Sequence, residues 1–252
     1  MNVLKNTQQQ AQFKILLIGD DCIDVYQYGT VDRISPEAPV PVFKFSYEER
    51  RAGMAGNVYN NLQNLGCNVN YLHGHTSTKT RLVDVRSKQH IVRIDNDVES
   101  EPLTFVTEIP DIYDAIVISD YNKGTVSYEL IQELRQEFSG PIFVDTKKTD
   151  LARLEGCIVK INNLENSLLK TTCTNLIVTL GKYGARYNGK IYTADPVEVA
   201  DVCGAGDTFL AALAIEYLVR GSVDIAIPYA IRAAGITVQH LGVYAPTKEE
   251  LE

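Results

Sequence analysis

Phe13-Lys-Ile-Leu-Leu-Ile-Gly-Asp20 is a compact apolar run that stops on a glycine and an aspartate. A run this short, rich in Ile and Leu and closed by turn-forming residues, reads as a buried strand over 13–18. The same design returns along the chain. Residues 115–118 (AIVI) precede Ser119-Asp120, residues 141–144 precede Asp145, residues 157–160 precede Asn162, and Leu176–Thr179 precedes Gly181. Residues 55–65 and 128–138 carry apolar side chains at helical spacing. Strands alternating with helices imply an α/β fold with a mainly parallel sheet flanked by helices on both faces. In such sheets ligands gather at the carboxyl ends of the strands, where the polar residues just named stand.

Two regions break the alternation. Residues 31–45 (VDRISPEAPVPVFKF) hold three prolines among alternating apolar residues, a pattern tolerated in edge strands. Residues 80–95 alternate on both sides of Ser87-Lys88-Gln89, as a hairpin does. Together they predict a small β-sheet lid beside the main sheet, with strands within about 28–46 and 79–95. Residues 207–218 (DTFLAALAIEYL) are apolar over most of a helical surface and should form a buried helix. Residues 225–241 predict a further helix with Pro228 near its start. The polar residues 1–12 read as a flexible leader, and 13–252 as a single domain.

Bulk properties narrow the function classes. With 252 residues, 45% hydrophobic and 22% charged, the chain can bury a substantial core. Its longest apolar runs are far too short to span a bilayer, and the first residues lack an apolar signal core. A net charge of −8 argues against nucleic-acid partners. Five scattered cysteines without a C-x-x-C pair point to a reducing, cytoplasmic setting.

The chemistry concentrates in Asp201-Val-Cys-Gly-Ala-Gly-Asp-Thr208. Gly204, Ala205 and Gly206 lead into the buried helix, where backbone N–H groups lack partners and the helix dipole favours an anion. Small residues let a phosphate approach the backbone. Asp207 at the same end could accept a hydroxyl proton during attack on phosphorus. The same letters also suit a plain turn followed by an N-terminal acid.

This segment resembles the C-terminal signature D-T-x-G-A-G-D of the PfkB/ribokinase family of carbohydrate kinases, with Cys203 in place of Thr. Ala52-Gly53-Met54-Ala55-Gly56-Asn57 is similar to the family's N-terminal sugar signature; Gly53 and Asn57 match, and Met54 replaces a second glycine. Asn162-Asn-Leu-Glu165 resembles its N-x-x-E element, and Thr179-Leu-Gly181-Lys-Tyr-Gly184 its nucleotide-side T-x-G-x-x-G turn. Arg33-Ile-Ser-Pro-Glu-Ala-Pro-Val-Pro-Val42 looks like the branch of heptose-7-phosphate kinases that form half of bacterial ADP-heptose synthesis enzymes. Gly19–Asp24, Thr78–Arg81, Ser119–Gly124 and Val144–Lys147 fit the same branch.

The resemblance implies a ribokinase-like fold and an ATP-dependent kinase acting on the anomeric hydroxyl of D-glycero-D-manno-heptose 7-phosphate. Asp207 would be the base, with Gly204, Ala205 and Gly206 holding the phosphoryl group. Asp24, Gly53, Asn57 and Asp120 would face the sugar, and Lys79, Arg81 and Lys123 its phosphate. Asn162, Glu165, Lys147, Thr179, Gly181 and Gly184 would serve ATP, with Mg²⁺ near Asn162 and Glu165 through water. Asp201 is the place to look for a monovalent cation such as K⁺. The lid implies a homodimer. A kinase for another sugar, or a binding protein without catalysis, fits the same fold.

Several features invite a bolder reading than they support. His73-Gly-His75 lacks further metal ligands, and its spacing does not match a nucleotidyltransferase motif; no second domain is expected before Glu252. Cys203 reads as a space-filler rather than a reactive thiol. Relative to the family, the segment at 73–77 and the segment at 166–175 are short, so both look like trimmed periphery.

Overall fold

The computed structural model describes residues 12–104 and 112–251. Apart from Gln12, the expected leader lies outside the described residues, as does Glu252. The first half of the chain runs β1 (Lys14–Ile34), β2 (Pro41–Met54), α1 (Ala55–Asn64), β3 (Asn68–Asp84), β4 (His90–Asn96), β5 (Ala115–Asp120) and α2 (Tyr128–Glu137). It continues with β6 (Ile142–Thr146), β7 (Ile158–Asn162), α3 (Asn163–Ser167), β8 (Leu176–Thr179), β9 (Ala185–Tyr187) and β10 (Lys190–Tyr192). Helices α4 (Ala205–Arg220), α5 (Val223–Thr237) and α6 (Lys248–Leu251) close it.

The strands form one sheet in the order β10-β9-β8-β7-β6-β5-β1-β3-β4, with β2 paired to β1. From β8 to β3 the pairings are parallel, while β9 and β10 are antiparallel. The opening run is apolar at every turn of the pleat because both faces are covered. Ile15 and Leu17 pack with residues of α1, α4 and α5, whereas Leu16 and Ile18 pack with residues of α2. Helix α2 starts where Ser127 Oγ accepts the N–H of Leu130 at 3.0 Å, an N-cap. Helix α4 is buried continuously from Asp207 to Ile215, as its all-round apolar surface requires. Helix α5 starts at Val223 and ends at Thr237, earlier at both ends than its sequence suggested, with Pro228 inside it. Among the described residues no helix is long and apolar enough to cross a membrane.

The first strand departs from expectation. It does not stop at Gly19-Asp20 but runs on to Ile34. Gly19 is there for close packing: a Cβ would collide with the carbonyl of Ser119 and the Cβ of Ala55. Strand β3 also runs on, pairing with β1 as far as Gly29, so residues 73–77 continue it without a break. Past Asp21 the second halves of β1 and β3 become the middle of the lid, flanked by β2 and β4. The lid is therefore an extension of the main sheet, bent at a register shift between Gly19 and Asp21, rather than a separate layer. Pro36 and Pro39 lie in the turn before β2, and Pro41 opens that strand. The β3–β4 hairpin turns where Lys88 takes a positive φ of 61°.

Candidate active site

The carboxyl ends of β5 to β8 and the first turn of α4 converge on a cavity of about 210 Å³. Gly204 caps α4 in the left-handed region at φ 79°, and a Cβ there would meet Asn57 Nδ2 at 2.7 Å. Both facts require glycine. Gly206 faces a different neighbour, since its Cβ would meet Lys160 Nζ at 2.8 Å.

Asp207 follows in the first turn and is 5% exposed. Asn57 Nδ2 donates to its Oδ2 at 2.8 Å, and Tyr121 Oη donates to its Oδ1 at 3.0 Å. Burial pushes its carboxyl up to about 6, against the two hydrogen bonds, which favour the ionised form. Asn57 is itself held by Asn61, whose Nδ2 donates to the Asn57 carbonyl at 2.8 Å. Tyr121 is placed by Asp20, buried under the loop after β5. Its Oδ2 accepts the N–H groups of Tyr121 at 2.8 Å and Lys123 at 3.0 Å, and its Oδ1 that of Thr125 at 3.2 Å. Asp20 thus builds a loop rather than ending a strand.

Below Gly206, Lys160 Nζ lies 2.7 Å from Asp145 Oδ2, between neighbouring strands. Burial works against the ammonium, but Asp145, with Asp207 and Glu165, more than offsets it and keeps Lys160 protonated. Burial also pushes the Asp145 carboxyl up, with Lys160 opposing it.

At the carboxyl end of β7, Asn162 and Glu165 form a capping box at α3. Glu165 N–H donates to Asn162 Oδ1 at 2.9 Å, and Asn162 N–H to Glu165 Oε2 at 2.8 Å. Glu165 Oε1 accepts from Lys147 Nζ at 2.8 Å. Thr179 lines the same cavity. Gly181 and Gly184 shape the turn to β9, both at positive φ (59° and 92°), and a Cβ on Gly184 would strike the Tyr192 carbonyl.

On the lid side, Arg81 Nη1 donates to Asp24 Oδ1 at 2.5 Å, and Gly53 leaves room for Asp24, whose Oδ2 a Cβ would meet at 2.5 Å. Lys79 Nζ stands 6.0 Å from the centre of the Tyr121 ring, and Lys147 Nζ 5.0 Å from it. Lys123 is ion-paired with Asp97. Asp120 accepts from Thr146 Oγ1 at 2.6 Å and the Asn122 N–H at 2.9 Å, and Lys148 Nζ lies 3.1 Å away. Of the three cations expected around a sugar phosphate, Lys79 alone makes no ion pair among the described residues. Met54, next to Gly53, is buried at φ 49°, a backbone region that favours glycine. Asp201 joins two loops: its Oδ1 accepts Cys203 N–H at 3.0 Å and its Oδ2 Gly242 N–H at 2.9 Å. Burial and Asp201 push the Cys203 thiol up to about 11, as befits a space-filler.

Sequence reasoning gave no role to Tyr121 or Lys160, and it placed Asp20 and Asp145 only as polar residues at strand ends. For Lys160 a signal existed: a lysine between Val159 and Ile161 in a strand apolar on both faces.

Residues 144–250 match the profile of the pfkB family carbohydrate kinases. A relative from a Nitratiruptor species, "Bifunctional protein HldE", is 32% identical over 299 residues, covering 95% of this chain and 64% of its own length. Over residues 144–250 the chain is thus similar to the pfkB family of carbohydrate kinases. It therefore spans 64% of the length of the first curated relatives it matches. Phosphofructokinase-2 from Escherichia coli, solved with potassium, shares the fold at a TM-score of 0.71 and 14% identity, over 95% of this chain and 96% of that one. Ribokinase from Thermotoga maritima aligns at a TM-score of 0.66 and 18% identity, over 95% and 98%. The fold is thus ribokinase-like, and the glycine turn, Asp207 and the turn at residues 181–184 lie within the residues matched to the family.

The donors near Glu165 are oxygens, with no group of three or more His, Cys, Asp or Glu suited to a metal among the described residues. That set would fit Mg²⁺ held largely by phosphate oxygens and water, with Asn162 and Glu165 the residues that would hold it and the ion supplying charge to offset phosphate.

Proposed function

We propose that this chain is an ATP-dependent kinase, one ribokinase-like domain over 13–252, that phosphorylates the anomeric hydroxyl of D-glycero-D-manno-heptose 7-phosphate. The products are the 1,7-bisphosphate and ADP. The observation that carries the reading is Asp207: a buried carboxyl at the start of α4, in a cavity shared with Glu165 and Thr179. As the acceptor hydroxyl attacks, its O–P bond forms and the bond from the γ-phosphorus to the bridging oxygen breaks. ADP leaves with that oxygen, and the hydroxyl proton passes to Asp207. The N–H groups of the first turn of α4 meet the charge on the phosphoryl group in flight. Mg²⁺, when bound, neutralises ATP phosphate charge. Lys79 is the cation left for the 7-phosphate, and Asp24 with Gly53 borders the sugar.

The heptose assignment is supported by the relatives called HldE and by the proline-rich segment 33–42, which falls at the β1–β2 turn. Free cysteines throughout and a need for ATP suit the cytoplasm. A second reading, a binding protein without catalysis, is favoured by Met54 at its glycine-like φ.

The test is ADP release from Mg-ATP with a panel of sugar phosphates, for wild type and Asp207→Asn. Heptose 7-phosphate should give turnover that Asp207→Asn loses. Absence of any sugar-dependent turnover in the wild type would leave the binding reading. A preference for fructose 6-phosphate or ribose would remove the heptose alone.

A further inference from the structure

The floor of the cavity holds a cation that the reaction above does not use. Lys160 sits in β7 opposite Asp145 in β6, is 4% exposed, and lines the cavity. Its ammonium lies against the first turn of α4, where a Cβ on Gly206 would come within 2.8 Å of Nζ. An ammonium carries three N–H donors. Among the described residues Asp145, at 2.7 Å, is its hydrogen-bond acceptor, which leaves donors for a ligand. A buried ion pair is a weak source of stability compared with apolar residues of the same volume. The neighbouring positions Val159 and Ile161 are apolar and buried.

We propose that Lys160 is a catalytic residue whose ammonium, anchored by Asp145, binds oxygens of the transferring phosphoryl group beside Gly206. This rests on the kinase reading and deepens it. Lys160 forms and breaks no covalent bond: it donates N–H to phosphoryl oxygens as the β–γ bridge of ATP opens, while the proton still goes to Asp207. Fixed positive charge aimed at the phosphoryl group is worth most where water is excluded.

The experiment compares wild type, Lys160→Met and the double variant Lys160→Met/Asp145→Asn, which leaves no unpaired buried carboxylate at that position. Calorimetry measures binding of Mg-ADP and of Mg-adenylyl imidodiphosphate, which keeps a γ-phosphoryl group. Both variants should lose about 10-fold in affinity for the imidodiphosphate and little for ADP. Their kcat should fall about 100-fold with KM for the sugar nearly unchanged. If the single variant fails to fold, the double variant gives the answer. A double variant that regains the wild-type preference for the imidodiphosphate over ADP overturns the proposal, since Lys160 would then only neutralise Asp145. Wild-type turnover in the double variant overturns it too and leaves the kinase reading intact. If the wild type turns over no sugar yet the double variant loses the imidodiphosphate preference, Lys160 stands as a phosphoryl ligand and the kinase reading falls.

Discussion

Asn57, in the first turn of α1, donates its side-chain amide to Asp207 in the first turn of α4 at 2.8 Å, across 150 residues of sequence. The bond favours the ionised carboxyl and so opposes the burial that raises it to about 6. Asn57→Ala removes the donor and leaves burial unopposed at that oxygen. The acid limb of the kcat profile should therefore move from about 6 upward by about one pH unit. A pH–rate profile checks this. An unmoved midpoint would mean that Asn57 serves the sugar and not the base.

Asp207→Asn should separate activity from stability. The carboxyl sits at about 6 when folded, above its usual value near 3.9. The folded state thus holds the proton more tightly than the unfolded chain. Stability falls as pH rises from about 4 to about 6, and above that the ionised group costs about 3 kcal/mol. Asparagine removes the charge. Thermal unfolding at pH 8 should show a Tm equal to or above that of wild type, while turnover drops about 100-fold or more. A large loss of Tm would show that the carboxylate holds the fold together.

Glu165 has two roles that one substitution can divide. Its Oε2 caps α3 and its Oε1 holds Lys147. Glutamine can still close a capping box, but it carries no charge. Glu165→Gln should keep the wild-type Tm and need more Mg²⁺ for half-maximal turnover. Glu165→Ala should lose the cap as well, at about 1 kcal/mol. Equal Mg²⁺ titrations for Glu165→Gln and wild type would confine this residue to capping.

The core strands were legible because a strand buried on both faces writes a continuous apolar run, as at Ile15–Ile18 and Ala115–Ile118. The end of β1 was not. A glycine excluded by close packing and an aspartate that binds loop N–H groups spell the same two letters as a turn. Asn162 and Glu165 were legible as a pair, but the capping box and the metal-side role use the same spacing. The place of Asp207 at the head of a buried helix was readable from the glycine turn before it. Its partners Asn57 and Tyr121 come from remote segments that only the folded sheet brings together. Lys160 was written into a strand read as buried, but its partner Asp145 stands on the neighbouring strand and only the folded sheet brings the two together.

The lid leads to a prediction about assembly. Its outer strands β2 and β4 each pair on one side only among the described residues, so both leave an open edge. Ile34, Phe45, Tyr47, Val92 and Ile94 are all exposed on these strands and the end of β1. Apolar side chains concentrated on one extension of a sheet favour burial against a second copy. The wild type should sediment as a homodimer at micromolar concentration, and Phe45→Glu with Ile94→Glu should sediment as a folded monomer. Because the same extension carries Asp24 and Lys79, the residues proposed for the sugar phosphate, the monomer should also bind sugar phosphate more weakly. A wild-type monomer at that concentration would remove the lid as an interface, and the exposed residues would then need another partner.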